Sequence, residues 1–277
     1  MLTLSCPDRP GIVHAVTGVL VDLDCNILES QQFGDPATGR FFLRLEATGG
    51  APALERVADR MAPVGGRFAM SWRLHDASAR CRILILVSRE GHCLNDLLFR
   101  QRSGALRAEI VGVVSNHPDL APLCDAAGVP FSHLPVSPET RPEQEGEMLR
   151  IVDERRAELV VLARYMRVLS PATCERLRGR VINIHHSFLP SFPGSRPYVQ
   201  AHERGVKVIG ATAHYVTADL DEGPIIEQDV ERVDHTMDPA QLAAAGRDVE
   251  CTTLARAVRW HAEHRVLLNG SRTVVFR

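Results

Sequence analysis

R-I-L-I-L-V-S (82–88), followed by R-E-G-H-C-L-N-D (89–96), is the stretch whose reading decides the fold. Ile83–Val87 is a short run of apolar side chains with no polar alternation. Such a run reads as a strand buried on both faces, which is the condition of strands in parallel sheets. A helical pattern, Leu94–Gln101, comes directly after it. The same alternation recurs downstream. Apolar runs at Ile110–Val114, Leu159–Ala163 and Val181–Ile184 are separated by helical patterns at Asp119–Ala126, Glu143–Arg156 and Pro171–Leu177. Strands alternating with helices predict an α/β protein with a doubly wound, mostly parallel, Rossmann-like sheet. Ligands in such sheets bind beyond the carboxyl ends of the strands. Val206–Val216 and Ile225–Val233 extend the sheet, and Asp238–His264 reads as a long helix, broken or irregular near Gly246. Val266–Leu268 and Thr273–Phe276 suit a terminal hairpin around N-G-S-R.

The N-terminal part has a different rhythm. Residues 2–6 read as a strand, P-D-R-P-G (7–11) as a turn whose Pro10 opens a helix, and Ile12, Val13, Val16, Val19, Leu20 and Leu23 as one helical face. Asn26–Phe33 and Arg40–Ala47 read as strands, Ala53–Met61 as a helix and Arg67–Leu74 as a last strand. The order βαββαβ is that of a ferredoxin-like open sheet with two helices on one face. H-D-A-S-A (75–79) serves as linker, so the expected domains are residues 1–76 and 80–277.

Bulk composition narrows the function classes. Apolar residues make up 45% and charged residues 24% of 277, which is a globular composition. The net charge of −2 and the dispersed arginines give no basic patch for nucleic acid, and no apolar run is long enough for a membrane helix. Seven cysteines are scattered without a C-x-x-C pair, arguing against a disulfide framework and against a zinc site and fitting a reducing cytoplasm. M-L-T-L-S-C-P-D-R-P has no basic and long apolar segment, so no secretory signal is expected.

Chemistry-bearing residues gather at strand ends. V-I-N-I-H-H-S-F-L-P-S-F-P-G (181–194) places Asn183 and His185 two apart, hence on one side of a strand. Their N–H groups can converge on one oxygen, the geometry of an oxyanion hole. His186 points the other way and is the weaker candidate. An isolated Asn-x-His more often only satisfies backbone groups, but the rigid L-P-S-F-P-G continuation suits a substrate-binding wall. G-A-T-A-H-Y-V-T-A-D-L-D-E-G-P-I-I (210–226) leads a buried strand into an acidic turn with Asp219, Asp221 and Glu222. A solvated turn needs no such strand, so a carboxylate beside the imidazole is expected, with His214 and Thr212 as secondary candidates. No H-x-x-x-H pair is present and no metal is expected. V-V-L-A-R-Y-M-R-V-L-S-P (160–171) runs a buried strand into an exposed loop carrying Arg164, Tyr165, Met166 and Arg167 before a Ser170 N-cap. Its crowding of aromatic, Met and Arg side chains suits a flat heteroaromatic ligand.

L-A-R-Y-M-R-V-L-S (162–170), N-I-H-H-S-F-L-P (183–190) and A-T-A-H-Y-V-T-A-D-L-D-E-G-P-I-I-E-Q (211–228) together resemble the formyltransferase fold that binds 10-formyltetrahydrofolate. The resemblance makes Asn183, His185 and Asp221 the catalytic set. It assigns the folate to loops containing Met166, Val168, Leu169, Thr217, Ala218 and Asp219. S-C-P-D-R-P-G-I-V (5–13), E-G-H-C-L-N-D-L-L (90–98) and H-R-V-L-L-N-G (264–270) extend the resemblance nearly end to end, to the formyltetrahydrofolate deformylase family. That family carries an N-terminal ACT domain. The resemblance implies release of formate from 10-formyltetrahydrofolate, supplying purine synthesis and balancing one-carbon folate pools, with no cofactor. It also implies a homo-oligomer paired through ACT sheet edges, and a small amino-acid effector near Asp8–Gly11.

One sequence feature separates water from an amine as the acceptor. A nucleotide-accepting transferase must cradle a phosphate, commonly at a glycine-rich first βα turn opening a helix. Here R-E-G-H-C-L-N-D offers one glycine, and Glu90 repels phosphate. Water is favoured. Formyl transfer to an amine, or a catalytically dead folate or amino-acid sensor, remain the alternatives.

Overall fold

The computed structural model describes residues 1–49, 54–137, 139–187 and 197–277. By their contacts the residues form two units, Met1–Ala79 with His264–Asn269 and Val274–Arg277, and Arg80–Glu263 with Gly270–Thr273.

In the first unit, β1 (Leu2–Pro7), β2 (Cys25–Asp35), β3 (Arg40–Gly49) and β4 (Ser71–Leu74) form an antiparallel sheet in the order β2-β3-β1-β4. Helices α1 (Ile12–Asp22) and α2 (Leu54–Phe68) supply Val16, Leu20, Val57, Met61 and Phe68 to a core shared with Leu4, Leu43 and Leu45. This is the expected βαββαβ order, with three local corrections. The first helix opens at Ile12, and Gly11 sits before it at φ +93°, so Pro10 is not its first residue. The second helix does not stop at Met61. Val57, Met61, Gly65 and Phe68 recur at helical spacing and are all buried, which carries it to Phe68. A Schellman pair then closes it: Ala69 at φ +51° donates to Gly66 O, and Met70 N–H donates to Gly65 O. The last strand therefore begins at Ser71 rather than Arg67.

The chain's last segment was expected with the second domain, but its contacts place most of it in this first unit. The Arg265 guanidinium meets Glu29 and Gln31, and the Asn269 amide donates to Asp35 at 2.7 Å. The hairpin of β12 (Val266–Asn269) and β13 (Arg272–Val275) forms as the N-G-S-R turn predicts.

The second unit is a seven-stranded sheet in the order β11-β10-β9-β8-β5-β6-β7. Its strands are β5 (Cys81–Val87), β6 (Ala108–Ser115), β7 (Phe131–His133), β8 (Leu159–Leu162), β9 (Val181–His185), β10 (Val208–Tyr215) and β11 (Ile225–Arg232). The five strands from β9 to β7 are parallel; β10 and β11 are antiparallel to their neighbours. Helices α3 (His92–Arg102), α4 (Ala121–Ala127), α5 (Arg141–Glu154) and α6 (Pro171–Arg176) are the expected connections. The short strand β7 and helix α7 (Pro197–Glu203) were not foreseen; each is too short to show a period. The chain winds outward from β5 to β7, then crosses to β8 on the other side of β5. The strand order thus reverses between β5 and β8, and a ligand crevice is expected at their carboxyl ends. Among the described residues, no helix is long and apolar enough to cross a membrane.

Helix α8 (Pro239–Ala262) runs unbroken through Gly246, contrary to the expected irregularity. The glycine serves close approach: a Cβ there would lie 1.9 Å from the hydroxyl of Tyr198. Gly246→Ala is therefore expected to cost about 1–3 kcal/mol, the usual range for overpacking. Thermal denaturation should show a lowered Tm; an unchanged Tm would place the Tyr198 ring elsewhere.

Candidate active site

Antiparallel pairing of β9 with β10 sets His214 directly opposite Asn183 and Thr212 opposite His185. The Asn183 Nδ2 lies 3.3 Å from His214 Nε2. His214 Nδ1–H donates to the Tyr215 carbonyl at 2.9 Å, which fixes the ring with Nε2 turned towards Asn183 and Asp221. Asp221 closes the group. Its Oδ2 is 3.1 Å from His185 Nδ1 and its Oδ1 is 3.5 Å from His214 Nε2. The three residues expected from sequence are brought together, and His214 joins them as a full member.

The loop after β10 explains how Asp221 gets there. Asp221 adopts φ +57°, a left-handed conformation that aspartate tolerates better than most residues. Two residues on, a Cβ on Gly223 would fall 1.7 Å from the Tyr215 carbonyl oxygen, so only glycine fits. Tyr215 N–H donates to the Pro224 carbonyl at 2.9 Å, completing the return. The same Tyr215 carbonyl therefore orients His214 and packs against the glycine that shapes the Asp221 loop.

A cavity of about 270 Å³ opens beside these side chains. Arg164, Tyr165, Met166, Arg167, Val168, Leu169, Thr217 and Asp219 line it together with Asn183, His185, His214 and Asp221. Ala218 is exposed and does not line it; the neighbouring Leu220 does. Thr212 is turned away, donating to Ser187 O and accepting from Gln228. Glu222 is exposed outside it. Leu162, Cys174, Ile184, His186 and Val216 complete the wall; apart from His186, they carried no sequence signal beyond being apolar. The expected L-P-S-F-P-G wall lies outside the described residues beyond Ser187.

The 164–169 loop is less open than its sequence suggests. Tyr165 and Leu169 are buried in the core, and the Tyr165 hydroxyl accepts from the Gln144 amide at 3.0 Å. Only Met166, Arg167 and Val168 are exposed. The loop is pinned by Glu145 on α5, a buried carboxylate that accepts from Ser170 N–H at 3.0 Å, and from the hydroxyls of Ser170 and Thr173. Burial acts to raise the Glu145 pKa, but these donors and Arg141 outweigh it and hold the carboxyl below its ordinary value. Nothing in the sequence marked Glu145, because a glutamate on a helix normally faces solvent.

Electrostatics separate the two adjacent histidines. The His185 and His186 rings stack at 4.9 Å. Burial, aided by the charges of Arg164 and His185, lowers His186 to about 4, so it stays neutral near pH 7. Hydrogen bonds from His185 and His214 hold Asp221 far below the usual carboxylate range despite partial burial.

Among the described residues one trio, His92, Cys93 and Glu250, brings potential metal-ligand atoms within 4.8 Å of one another. Two features oppose a cation there. Arg164 Nε lies 3.5 Å from the same carboxylate, and the contact with Cys251 together with burial keeps the Cys93 thiol protonated.

A doubly wound sheet delivering amide, imidazole and carboxylate to one cavity defines an enzyme of carbonyl chemistry. The Formyl transferase family profile matches residues 81–258, and the ACT domain profile matches residues 1–60. A formyltetrahydrofolate deformylase of Corynebacterium sp. (strain P-1) is 53% identical over 279 residues, covering 100% of this chain and 98% of that protein. The crystal structure of the Burkholderia mallei formyltetrahydrofolate deformylase superposes with TM-score 0.97 at 55% identity, covering 100% and 98% of the two chains. The glycinamide ribonucleotide transformylase 1 of Symbiobacterium toebii superposes with TM-score 0.67 at 31% identity, over 74% of this chain and 98% of its own. The chain belongs to the formyl transferase family and, within it, to the formyltetrahydrofolate deformylases.

Glu145→Gln replaces an all-acceptor carboxylate with an amide that meets the same donors. It is expected to raise KM for the folate several-fold while leaving kcat nearly unchanged, with a loss of roughly 1.5–3 kcal/mol for bonds to a charged group. Steady-state kinetics and urea unfolding check it; a fall in kcat at constant KM would contradict an anchoring role.

Proposed function

We propose that this chain hydrolyses 10-formyltetrahydrofolate to formate and tetrahydrofolate, using Asn183, His185 and Asp221. The observation that carries the reading is the Asp221 carboxylate held between His185 and His214, with Asn183 opposite His214 and a cavity alongside. The full-length similarity to deformylases, ACT domain included, supports water over an amine as acceptor.

The pterin would lie against the exposed Met166–Val168 segment and the Thr217–Leu220 loop. The Asn183 amide and the protonated His185 ring, through Nε2–H, would hold the formyl oxygen as it gains charge. Asp221 keeps His185 Nδ1 protonated and accepts an O–H of the attacking water. Its depressed pKa makes it a weak proton acceptor, so its work is orientation and stabilisation of the His185 cation rather than lasting proton storage. The water oxygen bonds to the formyl carbon, the C–N10 bond breaks, and the water's proton ends on N10. The formyl and formate carbons share one oxidation level, so the reaction asks for no redox cofactor.

For the ACT domain, the reading is a small amino-acid effector near Asp8–Gly11 and pairing of sheet edges between copies. In Asp8–Gly11, Asp8 N–H donates to Gly39 O at 2.9 Å and the Arg9 guanidinium lies 4.6 Å from the Phe68 ring centroid.

Purified protein should release formate from 10-formyltetrahydrofolate without any added amine. Asp221→Asn, which keeps the left-handed loop residue, should lower kcat by about 10²–10⁴-fold, and Asn183→Ala by a similar factor. Formylated amine with no formate would favour transfer; undiminished ligand binding with no turnover in wild type would favour a sensor.

The acid dependence has a definite sign. A carboxyl depressed in the folded state stabilises it fully above its unfolded pKa of about 3.9, and that stability is lost as pH falls further. The stability difference between wild type and Asp221→Asn should therefore shrink as pH is lowered from about 5 to 3. A difference that widens over that range in urea unfolding would refute the pairing.

A further inference from the structure

Hydrolysis asks for a group that carries a proton from the attacking water to N10, and Asn183, His185 and Asp221 leave that position open. In the deformylase reading above, His185 is committed at Nδ1 to Asp221, 3.1 Å away, and at Nε2 to the formyl oxygen. His214 is 2% exposed; it turns Nδ1–H to the Tyr215 carbonyl and Nε2 to Asn183 and Asp221. Asp221, held far below the usual carboxylate range, orients water but keeps no proton. The other titratable groups on the cavity wall fit no better. Arg164 and Arg167 are cations with no lone pair to offer. Burial pushes the Tyr165 hydroxyl and the Cys174 thiol up, so both stay protonated near pH 7. Asp219 is exposed to solvent.

His186 remains. Strand β9 ends at His185, and the bend that follows cancels strand alternation, so two consecutive imidazoles line one cavity. The expectation that His186 points the other way holds only inside a strand. The two rings stack at 4.9 Å with their planes 24° apart, which sets His186 against the face of His185. Among the described residues its ring nitrogens meet no hydrogen-bond partner, and neither is sealed off. Burial, then the charges of Arg164 and His185, lower its pKa to about 4. The neutral ring offers one nitrogen that accepts and one N–H that donates. Once protonated, it is a strong acid for a histidine, which suits donation to an arylamine nitrogen as weakly basic as N10.

We propose that His186 is a further catalytic residue, the proton carrier between the attacking water and N10; this rests on the deformylase reading. Its free ring nitrogen takes a proton from the water as the water oxygen bonds to the formyl carbon. The same nitrogen hands that proton to the N10 lone pair, and the C–N10 bond breaks with its electron pair passing to nitrogen. The other water proton, held by Asp221, leaves with formic acid, which ionises to formate. The ring ends neutral, so water is the sole co-reactant consumed.

The test compares His186→Gln and His186→Ala with wild type in formate release from 10-formyltetrahydrofolate. Glutamine keeps hydrogen bonding and most of the volume but carries no proton. Both variants should lower kcat by about 10²-fold or more while KM stays within about threefold. Added imidazole should restore turnover to His186→Ala, and methyl-substituted imidazoles should restore it in step with their basicity, which a merely packing side chain would not show. Tetrahydrofolate binding at wild-type affinity reports that each variant is folded, and His186→Gln carries the kcat comparison where the alanine variant does not fold. Wild-type turnover in His186→Gln, a loss confined to KM, or a folded His186→Ala that imidazole leaves inactive would overturn the proposal. Absence of formate release by wild type would instead sink the deformylase reading.

Discussion

The carboxylate of Asp221, shared between His185 and His214, is the interaction on which the site depends. It joins two strands and a loop that local propensity alone would not bring together. His185 and His214 come from neighbouring antiparallel strands, and Asp221 from a return whose shape requires a left-handed aspartate and a glycine pressed against the Tyr215 carbonyl. That carbonyl also receives the His214 Nδ1–H. Backbone close approach, ring orientation and carboxylate charge are thus coupled through one peptide group. A site in which the carboxylate is held this strongly ionised orients and stabilises; it does not store a proton.

Two buried glutamates do comparable work at greater remove. Glu145 on α5 pins the loop that begins at Arg164, and Glu250 on α8 gathers His92, Arg164 and Tyr198. Each is removed from water, and each is surrounded by donors sufficient to keep it ionised, the condition under which a buried charge is tolerated. Arg164 stands at the junction, left-handed at φ +64°, facing the cavity and Glu250 at once. The folate loop and the reversal point of the sheet are therefore parts of one charge network.

Much of this was legible from residue order. Continuous apolar runs such as Ile83–Val87 report burial on both faces, so the parallel sheet could be read directly. Asn183 and His185 could be paired because strand periodicity is two. Other features had no local signature. The antiparallel partner that makes His214 central depends on register, which is a long-range property. Gly246 looked like a helix breaker because its reason, the Tyr198 ring, lies 48 residues upstream on another helix, far beyond any local pattern. Phe68 looked like a strand residue because one inward-facing side chain fits either period until the backbone is seen. Glu145 and Glu250 were invisible for the same reason: burial of a charged helical residue is decided by what packs over it.

The central claim is that water attacks the formyl carbon held by Asn183, His185 and Asp221. Single-turnover reaction in ¹⁸O-water, with mass analysis of the product, tests it most directly. The account predicts formate carrying one solvent oxygen, formed without any amine and slowed severely in Asp221→Asn. Unlabelled formate, or a formyl group recovered only on an added amine, would contradict it.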